Sequence, residues 1–247
     1  MSKPHIVLVP GAWHSPDAFG AVNTQLEAHG FTIHARQLPA VGNKNPPPDL
    51  SEDIAVVQAL VDEAIGPDGN DVIVIPHSWG GIITGSALVG YGKKEREKAG
   101  KKGGVVTVAY IAAFILPEGV CLLDAIPGIP EWWDIKEPHA YANDPQIFYN
   151  DLSPADSAHW FSQLQSQNMS AFRSPATAAS WKTIPTAYLV CELDQAIPLQ
   201  AQLAMTDAVR DAGAEIVVSR IEAGHSPFLS KVEETAKWIR GVAGEKV

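Results

Sequence analysis

Six short runs of this chain, at residues 6–9, 31–35, 72–75, 105–111, 186–191 and 215–221, are rich in branched and aromatic residues, and most are apolar at successive positions. A strand that is apolar toward both sides has to be covered on both sides, which is the situation of a parallel sheet with helices on each face. The segments between the runs have the spacing for that covering: 15–29, 50–65, 80–91, 199–212 and 227–242 read as helices. In 50–65, Ile54, Val57, Val61 and Ala64 make an apolar stripe that Leu60 widens, and Ser51 is placed to cap the first turn. This alternation predicts an α/β fold with a doubly wound, mostly parallel sheet. A chain of 247 residues suffices for one such sheet and its core.

The alternation breaks once, between Ala113 and Pro185, in a stretch too long for a connection and with helical pieces of its own. We expect a core of 1–116 and 182–247 that carries a helical cap insertion at 117–181. Four of the seven tryptophans, Trp132, Trp133, Trp160 and Trp181, fall inside it together with Tyr141, Phe148, Tyr149, Phe161 and Phe172. Some of these must be the core of the insertion, and the rest are expected to wall a pocket for an apolar or aromatic ligand.

Charge excludes several partners. With 18 basic and 28 acidic residues the net charge is −10, a field that repels phosphate backbones and anionic membranes, so no nucleic acid or membrane partner is expected. The basic segment from Lys93 to Gly104 is interrupted by Glu95 and Glu97 and reads as a solvated helix end. The longest apolar run, 105–116, is too short to span a bilayer, and the run after Met1-Ser2-Lys3-Pro4-His5 is too short for a secretory leader. Cys121 and Cys191 sit in unrelated segments and cannot form a disulfide framework. A cytoplasmic protein, monomer or homodimer, is the expectation.

The chemistry concentrates at Val72-Ile73-Val74-Ile75-Pro76-His77-Ser78-Trp79-Gly80-Gly81. A buried strand ends, a serine follows, and a helix begins at once, which is the context of the G-x-S-x-G nucleophile elbow. Pro76 stands where the first glycine of that motif belongs. The first strand runs into Pro10-Gly11-Ala12-Trp13-His14, a turn where an oxyanion loop would be needed. Asp194 lies just beyond the fifth run and His225 on the loop after the sixth, so the chain order is serine, acid, histidine. That order is the one of α/β-hydrolases and not of chymotrypsin-like or subtilisin-like enzymes. The residues alone leave Glu192 and Glu118 open as alternative acids. Five histidines, His5, His29, His34, His139 and His159, have no partner pattern, whereas His14 and His77 flank the serine turn and the first-strand loop.

With these motifs, and with Asp194-x-x-Ile197-Pro198 and Gly224-His225, the sequence resembles the α/β-hydrolases over nearly its whole length, nearest to the small esterase and hydroxynitrile-lyase group that includes plant methylesterases. The resemblance implies a strand order 2-1-3-4-5-6, with the ligand crevice between the first and third strands. It places the acid at Asp194 and implies Ser78 as nucleophile, His225 as base and the backbone N–H groups of Ala12 and Trp79 as oxyanion donors. Gly11, Trp13, His14, His77, Trp132, Trp133 and Trp160 are the expected substrate-binding residues. The implied reaction is hydrolysis of a carboxylic ester or lactone of a small hydrophobic or aromatic molecule through an acyl-enzyme.

A carbon–carbon hydrolase or hydroxynitrile-type lyase on the same scaffold is the alternative, and a non-catalytic small-molecule receptor is a third. Lyases of this group tend to carry a threonine in the first-strand loop and a lysine after the histidine, where this chain has Gly11 and Ser226. Neither a metal-ligand spacing nor a Gly-rich phosphate loop is present in the sequence, and no metal or cofactor is expected.

Overall fold

The computed structural model of the chain describes residues 3–247; Met1 and Ser2, part of the amino-terminal stretch considered above, lie outside the described residues. In chain order its elements begin with β1 (His5–Val9), α1 (Gly20–Ala28), β2 (Ile33–Ala35), α2 (Ser51–Ile65), β3 (Asp71–Pro76), α3 (Gly80–Ala87), α4 (Lys93–Lys98) and β4 (Gly104–Ile111). Then come α5 (Leu122–Ala125), β5 (Trp133–Lys136), β6 (His139–Ala142), α6 (Gln146–Tyr149), α7 (Pro154–Ser162), β7 (Gln167–Asn168) and α8 (Met169–Arg173). The chain closes with β8 (Thr186–Cys191), α9 (Leu199–Asp211), β9 (Ile216–Ile221), α10 (Pro227–Ser230) and α11 (Val232–Val242).

Six strands form one parallel sheet in the order β2-β1-β3-β4-β8-β9, which is the expected order, since β8 and β9 are the fifth and sixth runs. Side-chain alternation sorts each strand between two cores. Val7, Val9, Val72 and Val74 pack on one face with Val57 and Val61 of α2 and Ile82 and Ile83 of α3. Ile6, Leu8, Ile73 and Ile75 pack on the other with Val22 and Leu26 of α1 and Ala236 and Ile239 of α11. Covering on both sides is why these strands tolerate apolar residues at every position. The connection after β1 leads to β2 on one side while β3 pairs on the other, so a crevice opens at the carboxyl ends of β1 and β3.

Between β4 and β8 the chain leaves the sheet. The expected helical pieces are present as α5 to α8, and β5, β6 and β7 add a three-stranded antiparallel sheet that was not anticipated. Its strands are of four, four and two residues, too short for a period of two to stand out from loop sequence. Among the described residues no helix is long and apolar enough to cross a membrane. Cys121 and Cys191 are both free and buried.

Candidate active site

The turn from β3 into α3 is made by His77, Ser78 and Trp79. His77 N–H donates to Val9 O at 3.0 Å, Gly80 N–H to His77 O at 2.9 Å and Gly81 N–H to Ser78 O at 3.1 Å. Ser78 is forced to φ 53°, a left-handed conformation that costs a non-glycine residue about 1–2 kcal/mol and lifts its side chain out of the turn. Pro76, the last residue of β3, pairs with Val9 of β1, where His77 supplies the N–H to Val9 O; on the other side β3–β4 pairing stops at Val74 and Val108 and resumes only as a bridge from His77 to Ile111, so a proline is tolerated at this strand end. Three glycines give the turn its room. A Cβ on Gly11 would lie 2.8 Å from Ser78 Cβ, one on Gly80 2.5 Å from Pro10 O and one on Gly81 2.0 Å from Phe114 O.

On the neighbouring loops, His225 Nδ1 donates to Asp194 Oδ2 at 2.8 Å, and both side chains are fully buried. The remaining capacity of the carboxylate is filled by Ala196 N–H at 2.7 Å and Ile197 N–H at 2.8 Å on Oδ1, and by Gln202 Nε2 at 3.3 Å on Oδ2. A carboxylate surrounded by donors holds His225 as the Nδ1–H tautomer, which leaves the Nε2 lone pair free. Nε2 is buried and has no partner among the described residues. Of the alternative acids, Glu192 pairs with Arg220 at 3.0 Å and Glu118 is exposed.

His77 and His14 stand behind these groups. His77 Nε2 donates to the backbone carbonyl of His225 at 2.9 Å, with the two rings 4.5 Å apart. Burial, reinforced by the neighbouring His225, pushes the pKa of His77 well down. His14 Nδ1 donates to Ala12 O at 2.7 Å and its Nε2 accepts from Tyr149 OH at 2.8 Å. Burial pushes His14 down to about 4, so both rings are neutral at pH 7. The backbone N–H groups of Ala12 and Trp79, on residues almost wholly buried, have no acceptor among the described residues.

A small, partly enclosed cavity of about 40 Å³ adjoins Ser78. Trp13, Trp132 and Trp133 of the candidate substrate-binding residues line it, as do Ala12 and Trp79 of the candidate oxyanion donors, and no Asp, Glu, Lys or Arg does. Gly11, His14 and His77 do not reach it: Gly11 sits under the serine turn, and both histidines are engaged with backbone carbonyls. Trp160 does not reach it either, because α7 sets it beside Ser15, Ala18 and Leu164, behind His14 and Tyr149. A wider, open groove of about 610 Å³ runs between β9 and α11 and contains none of these groups. Among the described residues no three His, Cys, Asp or Glu are grouped to hold a metal ion.

Residues 6–238 match the alpha/beta hydrolase family. The chain belongs to that family. Alpha/beta hydrolase nvfD of Aspergillus novofumigatus is 30% identical over 259 aligned positions, which cover 100% of this chain and 99% of that one. Among solved structures, a pyrethroid hydrolase from Sphingobium faniae JZ-2 superposes with a TM-score of 0.75 at 21% identity, covering 98% of each chain. The methylesterase MES16 from Arabidopsis superposes with a TM-score of 0.72 at 18% identity, covering 98% of this chain and 100% of its own. These likenesses establish the fold, and the resemblance to plant methylesterase-like proteins stands with them.

In this hydrolase the cavity also takes Ile197, of the Asp194-x-x-Ile197-Pro198 stretch, and Phe148 and Phe172, which no motif marks. Phe148 and Phe172 were visible only as members of an aromatic-rich stretch. Gln202, which bonds Asp194 Oδ2 and both Cys191 O and Ile197 O, carries no local signal beyond being a polar residue on the buried side of α9.

Proposed function

We propose that this alpha/beta hydrolase cleaves a neutral carboxylic ester or lactone of a small hydrophobic or aromatic compound through an acyl-enzyme, with Ser78, His225 and Asp194 as its triad and residues 117–181 as a cap over the site. The observation that carries the proposal is the buried His225–Asp194 bond of 2.8 Å, which leaves the base nitrogen of His225 unpartnered on the loop facing the serine turn. Support comes also from the two unpartnered N–H groups of the buried residues Ala12 and Trp79 and from the uncharged aromatic cavity.

The chemistry follows from these parts. The hydroxyl of Ser78 turns toward Nε2 of His225 and loses its proton to it as the oxygen attacks the substrate carbonyl. Asp194 stabilises the imidazolium that forms and keeps its ring in place. The developing oxyanion is received by the N–H groups of Ala12 and Trp79, each worth about 3 kcal/mol in comparable enzymes. His225 then hands the proton to the leaving alcohol, and water, activated by the same nitrogen, releases the acid and restores Ser78.

The test is covalent. A fluorophosphonate is expected to modify Ser78 alone, as read by peptide mass spectrometry, and Ser78→Ala is expected to lower hydrolysis of an activated aryl ester by roughly a millionfold with the fold intact. Labelling elsewhere with Ser78 unmodified would overturn the assignment.

A further inference from the structure

Three consecutive residues at the end of α6 each bond a different loop of the site. Tyr149 OH donates to His14 Nε2 at 2.8 Å, and His14 in turn holds Ala12 O, on the loop with the free Ala12 N–H. Asn150 Nδ2 donates to Leu193 O at 3.0 Å, next to Asp194. Asp151 Oδ2 accepts from Gly224 N–H at 2.6 Å, next to His225. Gly224 is at this position for space: a Cβ there would lie 2.3 Å from Asn150 Oδ1 and 2.6 Å from Asp151 Oδ1. Any larger residue at 224 would require the side chains of Asn150 and Asp151 to move away from the histidine loop.

The loop on which Ala12 lies needs such outside support. Trp13 adopts φ 63°, a conformation that costs a bulky residue about 1–3 kcal/mol and persists only where the surroundings impose it. The surroundings here are again the segment between β4 and β8: Trp13 Nε1 donates to Ala140 O at 3.0 Å, and Gln165 N–H donates to Trp13 O at 2.9 Å.

We propose that Tyr149, Asn150 and Asp151 are positioning residues that hold the oxyanion, acid and histidine loops in register, so that the cap is a structural part of the reacting centre as well as its wall. The proposal rests on the serine-hydrolase reading above. It has a consequence that a wall alone does not have: damage to the tripeptide slows turnover even of a small substrate, which depends least on the wall. Displacement of reacting groups by a fraction of an ångström to one ångström costs about ten- to a hundredfold in rate.

The experiment uses phenyl acetate and the full-length protein. Tyr149→Phe and Asp151→Ala are expected to lower kcat by at least about tenfold while KM moves less than about threefold. Asp151→Asn, whose amide oxygen still accepts from Gly224 N–H, is expected to recover most of the loss. Fluorophosphonate labelling of Ser78 is expected to slow in parallel. Retention of kcat within about twofold in Tyr149→Phe and Asp151→Ala would overturn the proposal, and so would an Asp151→Asn no better than Asp151→Ala. If Asp151→Ala does not accumulate as folded protein, Tyr149→Phe, which lacks a single hydroxyl, decides.

Amide exchange separates this proposal from the one it rests on. Faster exchange is expected in 11–14 for Tyr149→Phe and in 223–226 for Asp151→Ala. Unchanged exchange overturns the positioning role even where Ser78 is labelled, and a wild type that is not labelled at Ser78 overturns the serine reading even where exchange changes.

Discussion

Asp194 makes four hydrogen bonds through two oxygens, and one of them is to an imidazole that no other carboxylate touches. Asn in its place cannot stabilise imidazolium, and its amide favours the wrong tautomer of His225. On the proposed triad, Asp194→Asn is therefore expected to lower kcat by about four orders of magnitude, the loss found for this change in serine triads. Glu192→Gln breaks only a half-exposed pair with Arg220, and Glu118→Gln changes an exposed side chain, so both are expected to stay near wild-type rates. Comparable kcat in Asp194→Asn and wild type would move the acid elsewhere. Gly11 is a different kind of residue: its backbone is unstrained, but a methyl group there overlaps Ser78 Cβ at 2.8 Å. Gly11→Ala is expected to lose about 1–3 kcal/mol of stability through overpacking, measurable as a lower urea midpoint, together with most of the activity.

At the scale of elements, the proposed cap would divide its labour between a wall and the proposed clamp. Trp132 belongs to the wall: it is half-buried, stacks edge-on to Trp13 at 5.4 Å and Phe148 at 5.3 Å, and lines the cavity beside Ser78. Trp132→Ala is expected to change the ratio of kcat/KM between a bulky aromatic ester and phenyl acetate by about ten- to a hundredfold, with phenyl acetate the less affected. Equal loss on both substrates would assign Trp132 to the clamp instead. The parallel strands were legible in the sequence because burial on both faces leaves a continuous apolar run, and the serine turn was legible because strand, turn and helix follow one another within ten residues. The His225 loop could be located by its place after the last strand, whereas the residues alone left Asp194, Glu192 and Glu118 open and the resemblance chose Asp194. The clamp could not, since Tyr149, Asn150 and Asp151 find partners 135, 43 and 73 residues away, and nothing in a local pattern records such distances. Glycine at 224 was a trace of it, but a glycine required for space looks the same in sequence as one required for a turn.

For the molecule as a whole, three buried titratable groups make stability depend on pH. Burial pushes Asp53 up to about 7; its Oδ1 accepts from Ala40 N–H while Oδ2 has no partner. A carboxyl whose folded pKa is raised stabilises the fold most below its unfolded pKa of 3.8, and that contribution is lost as pH rises toward 7. His14 and His77 act in the opposite sense: their lowered pKa values favour the fold above 6.5, and that advantage is lost as pH falls toward about 4 for His14 and lower for His77. Asp53→Asn removes one side of this balance. Relative to wild type it is expected to gain roughly 2–3 kcal/mol between pH 5 and pH 8, read from urea midpoints at the two values; a pH-independent difference would mean that Asp53 is ionised in the fold throughout. The proposed cap leaves from β4 and returns to β8, two adjacent, paired strands, so by connectivity the segment is an exchangeable module. Its bonds to 11–14, 193 and 224 oppose that exchange. A chimera that grafts a relative's cap between β4 and β8 would import a new specificity only if the three recipient loops travel with it, and recombination that cuts at the two strand ends alone would yield folded proteins that turn over slowly.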